Sequence, residues 1–175
     1  MSRAVILGLD PQRPGIGVGI VDAATGEALL ATWTPIVAEG WYEHRVIEAM
    51  AGAKDMARGW HIAWLVIERV GGGKGVQSML KVADCAGIVA GCAASRWPDA
   101  ALWRPTPGEW KKAAGLKGNA PKPVVADLGK QLLRDSGEPA DDLRQDAYDA
   151  LCMARAAYND AAKVAAYMTT EEHHS

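Results

Sequence analysis

The sequence predicts a single α/β domain with a five-stranded mixed sheet flanked by helices. Apolar runs of strand length recur at Ala4 to Leu9, Ile16 to Val21, Glu27 to Trp33, Ile62 to Ile67 and Ala101 to Arg104. Helix-forming segments separate the later strands and follow the last one. The chain has 175 residues, the length of one domain, and a chain of that size buries roughly 70% of its extended surface.

Ala4 to Leu9 carries no polar side chain, as expected of a strand covered on both faces, and it stops at Asp10, where Pro11, Pro14 and Gly15 break the chain. Ile16 to Val21 is thinned by Gly17 and Gly19. Asp22 to Gly26 reads as a turn into the third strand, giving a hairpin or short meander. Tyr42 to Arg58 predicts a helix with Val46, Ile47, Met50, Ala53, Met56 and Ala57 on its apolar stripe. The strand Ile62 to Ile67 again ends on an acid, Glu68. After it come a flexible Gly71-Gly-Gly-Lys-Gly75 loop and a helix from Val76 to Ser95. Beyond the fifth strand lie a basic segment and helices over Pro123 to Leu133 and Asp141 to Asp160. No internal repeat or low-complexity linker interrupts the chain. Residues 1–162 are expected to form the domain and 163–175 a polar tail in which His173 and His174 carry little functional weight.

With 49% apolar and 23% charged residues, the composition is that of an ordinary soluble protein. No stretch reaches the ~20 apolar residues of a membrane span, and the start lacks the pattern of a secretory signal. The expected location is the cytoplasm. Cys85, Cys92 and Cys152 sit in apolar stretches without CxxC spacing, which predicts buried free thiols rather than disulfides or a zinc site. The net charge of −2 does not mark a nucleic-acid binder, but between Arg104 and Arg134 seven bases face two acids.

Asp10 and Glu68 both follow apolar strands. In open α/β sheets, sites form at the carboxyl ends of strands, and adjacent strands lie ~4.8 Å apart, so two such acids can share a divalent cation. Each acid alone is more simply read as a turn or capping residue; the pair together is more suggestive. Asp146 and Asp149 stand i, i+3 on a helix and so share a face, along the border of a stripe of Leu143, Ala147, Ala150, Leu151, Ala154 and Tyr158. If that helix starts at Asp141, its dipole accounts for Asp141 and Asp142 but not for Asp146 and Asp149. Four carboxylates suit Mg²⁺, a hard cation that takes oxygen ligands, and two such ions ~4 Å apart can clamp both oxygens of a phosphodiester displacement.

Ile6-Leu-Gly-Leu-Asp10-Pro, Val66-Ile-Glu68 and Asp146-Ala-Tyr-Asp149-Ala-Leu resemble, in order and spacing, the acidic motifs of RuvC-type Holliday-junction resolvases. The likeness spans roughly Val5 to Ala157. It implies a ribonuclease-H-like fold and a homodimer that nicks four-way DNA junctions symmetrically. It also implies two Mg²⁺ ions per site, with Mn²⁺ as a substitute. On this resemblance Asp10, Glu68, Asp146 and Asp149 are the metal-binding catalytic acids, and Lys111 and Lys122 match the family's two lysines. A ribonuclease H proper would take an acid from its first helix, at Glu48, and lack the aspartate pair; Glu48 is expected to face solvent. Where bacterial members carry an aromatic after the second acid, this chain has Arg69-Val-Gly-Gly-Gly-Lys74, and it contains no Phe. That departure weighs against base stacking there and is closer to a phage-type member, which would act in host cytoplasm. Arg69, Lys74, Lys112 and Lys117 are the further candidates for DNA phosphates. Trp103 and Trp110 are expected to pack in the core or at hinges.

The helix through Val82 to Ala94 is apolar nearly all round, with Gly87 and Gly91 at i, i+4; one face is expected to meet the sheet and the other a second subunit, the alternative being a helix fully buried within one subunit. Gly15-Ile-Gly-Val-Gly19 lacks dinucleotide-binding spacing, and Gly71 to Gly75 lacks the Ser/Thr of a P-loop, so no nucleotide site is expected. Three rivals stand beside the resolvase: a ribonuclease-H-like nuclease acting on branched DNA or RNA–DNA hybrids, a non-catalytic junction-binding protein, and an actin-like nucleotide-binding module.

Overall fold

The computed structural model describes residues 3–12, 15–36, 42–69 and 76–171, with the backbone alone for 76–79, 81 and 162–171. Strands β1 (Ala4–Pro11), β2 (Gly15–Asp22) and β3 (Ala28–Pro35) form an antiparallel meander. Strands β4 (His61–Ile67) and β5 (Ala101–Trp103) join in parallel on the other side of β1, giving the order β3-β2-β1-β4-β5. This is the five-stranded mixed sheet that the sequence predicts. Helices α1 (Tyr42–Met56) and α2 (Val76–Arg96) cover one face. Helix α5 (Gln145–Glu171) covers the other, and α3 (Pro107–Ala113) and α4 (Lys122–Asp135) pack over α5.

The two-residue period of a strand divides β1 between the two layers. Val5, Leu7 and Leu9 join the α1/α2 core, whereas Ile6 points into the core around α5. Gly8 and Asp10 therefore face α5 as well. On β4, Val66 shares that face, and Glu68 is next in step.

Glycine sets how closely α5 approaches. A Cβ on Gly8 would lie 2.1 Å from the Ala150 carbonyl oxygen, one on Gly19 2.2 Å from the Leu151 nitrogen, and one on Gly17 1.9 Å from the Asp146 carbonyl oxygen. Gly8 and Gly19 are cross-strand partners, and Gly17 is the partner of Asp10. Gly8, Gly17 and Gly19 thus make a side-chain-free floor on which the helix backbone rests. Helix α5 is buried on nearly every side from Asp146 to Ala157, between the sheet below and α3 and α4 above.

Several boundaries differ from the sequence expectation. Helix α5 starts at Gln145, so Leu143 precedes it and Asp146 lies in its first turn. The helix dipole therefore does act on Asp146, contrary to the expectation from a start at Asp141. At its other end α5 continues to Glu171 rather than Asp160. Asp10 sits inside β1 rather than just beyond it. Ile47, expected on the buried stripe of α1, is 48% exposed, and Ala49 takes that place. The short helix α3 lies within the basic segment, where the sequence predicts no helix before Pro123. Pro107 at its start and a capping box between Thr106 and Glu109 close its first turn.

Cys85 and Cys152 are buried and Cys92 is half-buried, all as free thiols. Among the described residues no helix is long and apolar enough to cross a membrane. In the β2–β3 turn, the amides of Ala24 and Thr25 each donate to Asp22 Oδ1 at 2.8 Å, and Arg3 donates to Oδ2. The Arg3 bond is the main reason that the Asp22 carboxyl drops to about 2.

Candidate active site

All four acids are presented at one end of the sheet. Asp10 is 3% exposed near the end of β1, and Glu68 follows Ile67, the last residue of the adjacent parallel β4. Because Gly17 lies directly across from Asp10 and under the Asp146 backbone, the first turn of α5 sits over the strand ends. Asp146 is 9% exposed, and Asp149 follows one turn on. A cavity of about 190 Å³ is lined by Asp10, Glu68 and Asp149 together with Gln12, Trp110, Lys111 and Lys122.

Each of three acids has a neutral partner that sequence reasoning missed. Gln12 Nε2 donates to Asp10 Oδ1 at 3.2 Å, Gln145 Nε2 donates to Asp149 Oδ1 at 2.7 Å, and the buried Trp110 indole donates to Glu68 Oε2 at 2.7 Å. The Gln145/Asp149 pair is visible in sequence as an i, i+4 helix contact. The Trp110/Glu68 bond joins residues far apart in the chain and has no local signal. Trp110 is buried, as the sequence predicts, and also serves the site.

The electrostatics are those of carboxylates buried beside one another, with two lysines close by. Burial pushes the Asp10 carboxyl well above its ordinary range, and repulsion from Asp149, Glu68 and Asp146 adds to the shift. Burial also raises Glu68, opposed first by the Trp110 bond and more weakly by Lys111 and Lys122. Asp149 is raised by burial against the Gln145 bond and the charge of Lys122. Among the described residues, no three His, Cys, Asp or Glu side chains close into a ready coordination shell. The donor set nevertheless fits a hard divalent cation: all of its ligands are oxygens, and Mg²⁺ usually takes only one or two carboxylates alongside waters and substrate phosphate. Acids that repel one another are expected to stand apart until a cation draws them in.

The basic candidates divide between two places. Lys111 and Lys122 line the acid cavity; Lys111 Nζ donates to the Ala120 carbonyl at 2.8 Å, while Lys122 is exposed and makes no ion pair among the described residues. Arg69 and Lys112, with Arg104 and Trp103, line a second cleft of about 530 Å³ that also holds Glu109 and Asp160. Arg69 Nη2 lies 3.8 Å from Glu109, a loose surface pair. Lys117 is exposed and lines neither cavity. Lys74 and the Gly71 to Gly75 loop lie outside the described residues. Glu48 is exposed, as expected.

The model of the family described as crossover junction endodeoxyribonuclease RuvC matches residues 6–156, an interval that contains all four acids and both lysines of the cavity. The chain belongs to this family. Its members are metal-dependent nucleases, and the chain is accordingly an endonuclease of the crossover-junction type. The crossover junction endodeoxyribonuclease RuvC of Streptomyces coelicolor is 28% identical over 152 residues, covering 85% of this chain and 78% of the relative. That of Streptomyces avermitilis is 29% identical, covering 85% and 84%. Among solved structures, Thermus thermophilus RuvC in complex with a Holliday junction substrate aligns over 89% of this chain and 93% of its own, with a TM-score of 0.69 at 18% identity. The yeast mitochondrial Holliday junction resolvase aligns over 99% and 87%, with a TM-score of 0.65 at 8% identity. Both share the ribonuclease-H-like fold seen here.

Proposed function

We propose that this chain resolves four-way DNA junctions by paired nicking that depends on Mg²⁺, with Asp10, Glu68, Asp146 and Asp149 as the metal-holding acids. The observation that carries this reading is the placement of the acids. Three of them line one small cavity with Lys111 and Lys122, and the fourth stands in the α5 turn seated on the strand partner of Asp10. Two Mg²⁺ ions held there, or Mn²⁺ in their place, would activate water and offset charge on the phosphate. The chain's own groups do the rest. Gln12, Trp110 and Gln145 fix acid orientations by hydrogen bonds. Lys122, exposed at the cavity, supports the phosphate as negative charge builds on it, while Lys111 ties the α3–α4 connection to the site.

Substrate strands are expected to leave the cavity past Arg69, which directly follows Glu68, and along the cleft with Arg104 and Lys112. These groups position phosphates without reading sequence. Two cuts require two sites, and α2 supplies a surface for pairing. Cys85, Ala86, Val89 and Ala93 are buried, while Leu80 is 58% exposed and a Cβ on Gly87 or Gly91 would meet nothing within 4 Å among the described residues. A second copy packed there completes a homodimer. Such an enzyme works where DNA is handled, in the cytoplasm, or host cytoplasm if the chain is phage-encoded.

The experiment is digestion of a labelled four-way junction beside a flap and an RNA–DNA hybrid, with Mg²⁺ and with chelator. The proposal expects paired nicks on the junction only when metal is present, and an Asp146→Asn variant that binds the junction without cutting it. Equal cutting of the hybrid, or undiminished turnover by Asp146→Asn, would overturn it.

A further inference from the structure

We infer that Trp110 is a positioning residue for metal binding, one that fixes which oxygen of Glu68 faces the acid cavity. The inference rests on Glu68 being a metal ligand, as proposed above. Trp110 is 1% exposed, and its only polar atom, the indole nitrogen, donates to Glu68 Oε2 at 2.7 Å. A buried indole N–H needs an acceptor, and a charge-assisted bond to a carboxylate is a strong one. With one lone pair of Oε2 taken by the indole, Oε1 is the freer oxygen to turn toward a cation.

The indole is itself held firmly. Trp110 lies on α3, whose first turn is closed by Pro107 and by the reciprocal bonds of Thr106 and Glu109. Lys111 Nζ stands 5.6 Å from the centre of the Trp110 ring and donates to the Ala120 carbonyl. A glutamate at a strand end has several rotatable bonds and loses that freedom when it ligates a metal. The indole removes much of the freedom in advance. Groups that orient a metal ligand in this way typically change metal affinity 10–100-fold when removed.

The test is Mn²⁺ binding to the full chain, by calorimetry and electron paramagnetic resonance, in the absence of DNA. Trp110→Phe removes the donor and some volume. Benzothienylalanine at position 110 puts sulfur in place of the N–H and keeps the volume, and it serves if the Phe variant does not fold. The inference expects either substitution to weaken Mn²⁺ binding by ~10–100-fold. It also expects that loss to vanish in a Glu68→Gln background, because the two changes act through one interaction. A folded benzothienylalanine protein that binds Mn²⁺ within about twofold of wild type would overturn the positioning role, leaving the metal site itself intact. Wild-type Mn²⁺ binding that is indifferent to Glu68→Gln would instead remove Glu68 from the ligand set, and this role with it.

Discussion

Replacing Gly17 by alanine adds one methyl group in the floor under α5. Its position is set by the strand: the Cβ would lie 1.9 Å from the Asp146 carbonyl oxygen, 2.4 Å from its carbon and 3.0 Å from the Ala147 nitrogen. All three are backbone atoms, so no side chain can swing aside. Ordinary contact begins at 3.4 Å, so the first turn of α5 must retreat by about 1.5 Å. Overpacking of this kind costs about 1–3 kcal/mol, which a domain of this size survives. Catalysis is less tolerant, because a 1 Å misplacement of reacting groups costs about 100-fold. Gly17→Ala should therefore stay folded and lose about 100-fold in single-turnover nicking at saturating enzyme and Mg²⁺, because Asp146 rides on the displaced turn. Gly52→Ala is the control. Its Cβ would meet the Thr34 side chain, the methyl nearest at 2.9 Å, on the far face of the sheet, and nicking should be unchanged. Nicking by Gly17→Ala within a few-fold of wild type would refute the claim that the glycine floor places the acids.

The raised carboxyls make the metal-free protein sensitive to acid in a defined direction. Because Asp10, Glu68 and Asp149 bind protons more readily when folded, stability should increase as pH falls from neutral towards the unfolded values near ~4, and Asp10→Asn should raise the melting temperature at pH 7 while abolishing nicking. Asp22 works in the opposite sense. With its folded carboxyl at about 2, it stabilises the protein above ~4 and loses that contribution as pH drops towards 2, so Asp22→Asn should flatten the acid limb of a pH series of thermal melts. Lys122→Ala should reduce the salt slope of junction binding by about 0.9 if that amine contacts one phosphate; an unchanged slope would separate it from the DNA. Gly87→Arg should yield a monomer in sedimentation and uncouple the paired nicks, since a Cβ at that position meets nothing within 4 Å among the described residues.

Strand positions were legible because apolar runs bounded by Gly, Pro and acids mark buried strands directly. The family resemblance implied the ribonuclease-H-like fold, whereas the order β3-β2-β1-β4-β5 comes from the structure. The acids stood out because Asp10 and Glu68 each close such a run. What the sequence concealed is mostly long-range. Gly17 and Gly19 look like weak points in a strand until the helix that needs their missing side chains is in place. Trp110 looks like core, and is core, but its one polar atom reaches Glu68 across a separation of 42 residues. Helix α3 was missed despite a local signal: Thr106-Pro107-Gly-Glu109 carries both the capping pair and the first-turn proline. Its basic residues, Lys111 and Lys112, stand in the last turn, where they also complement the helix dipole. The late start of α5 also hid a favourable term, since only a helix beginning at Gln145 brings its dipole to Asp146.

The most direct test of the metal-holding acids is anomalous diffraction from crystals soaked in Mn²⁺. Strong peaks are expected among Asp10, Glu68, Asp146 and Asp149, and they should vanish in Asp10→Asn crystals. Manganese bound elsewhere, or peaks that persist in the variant, would contradict the account.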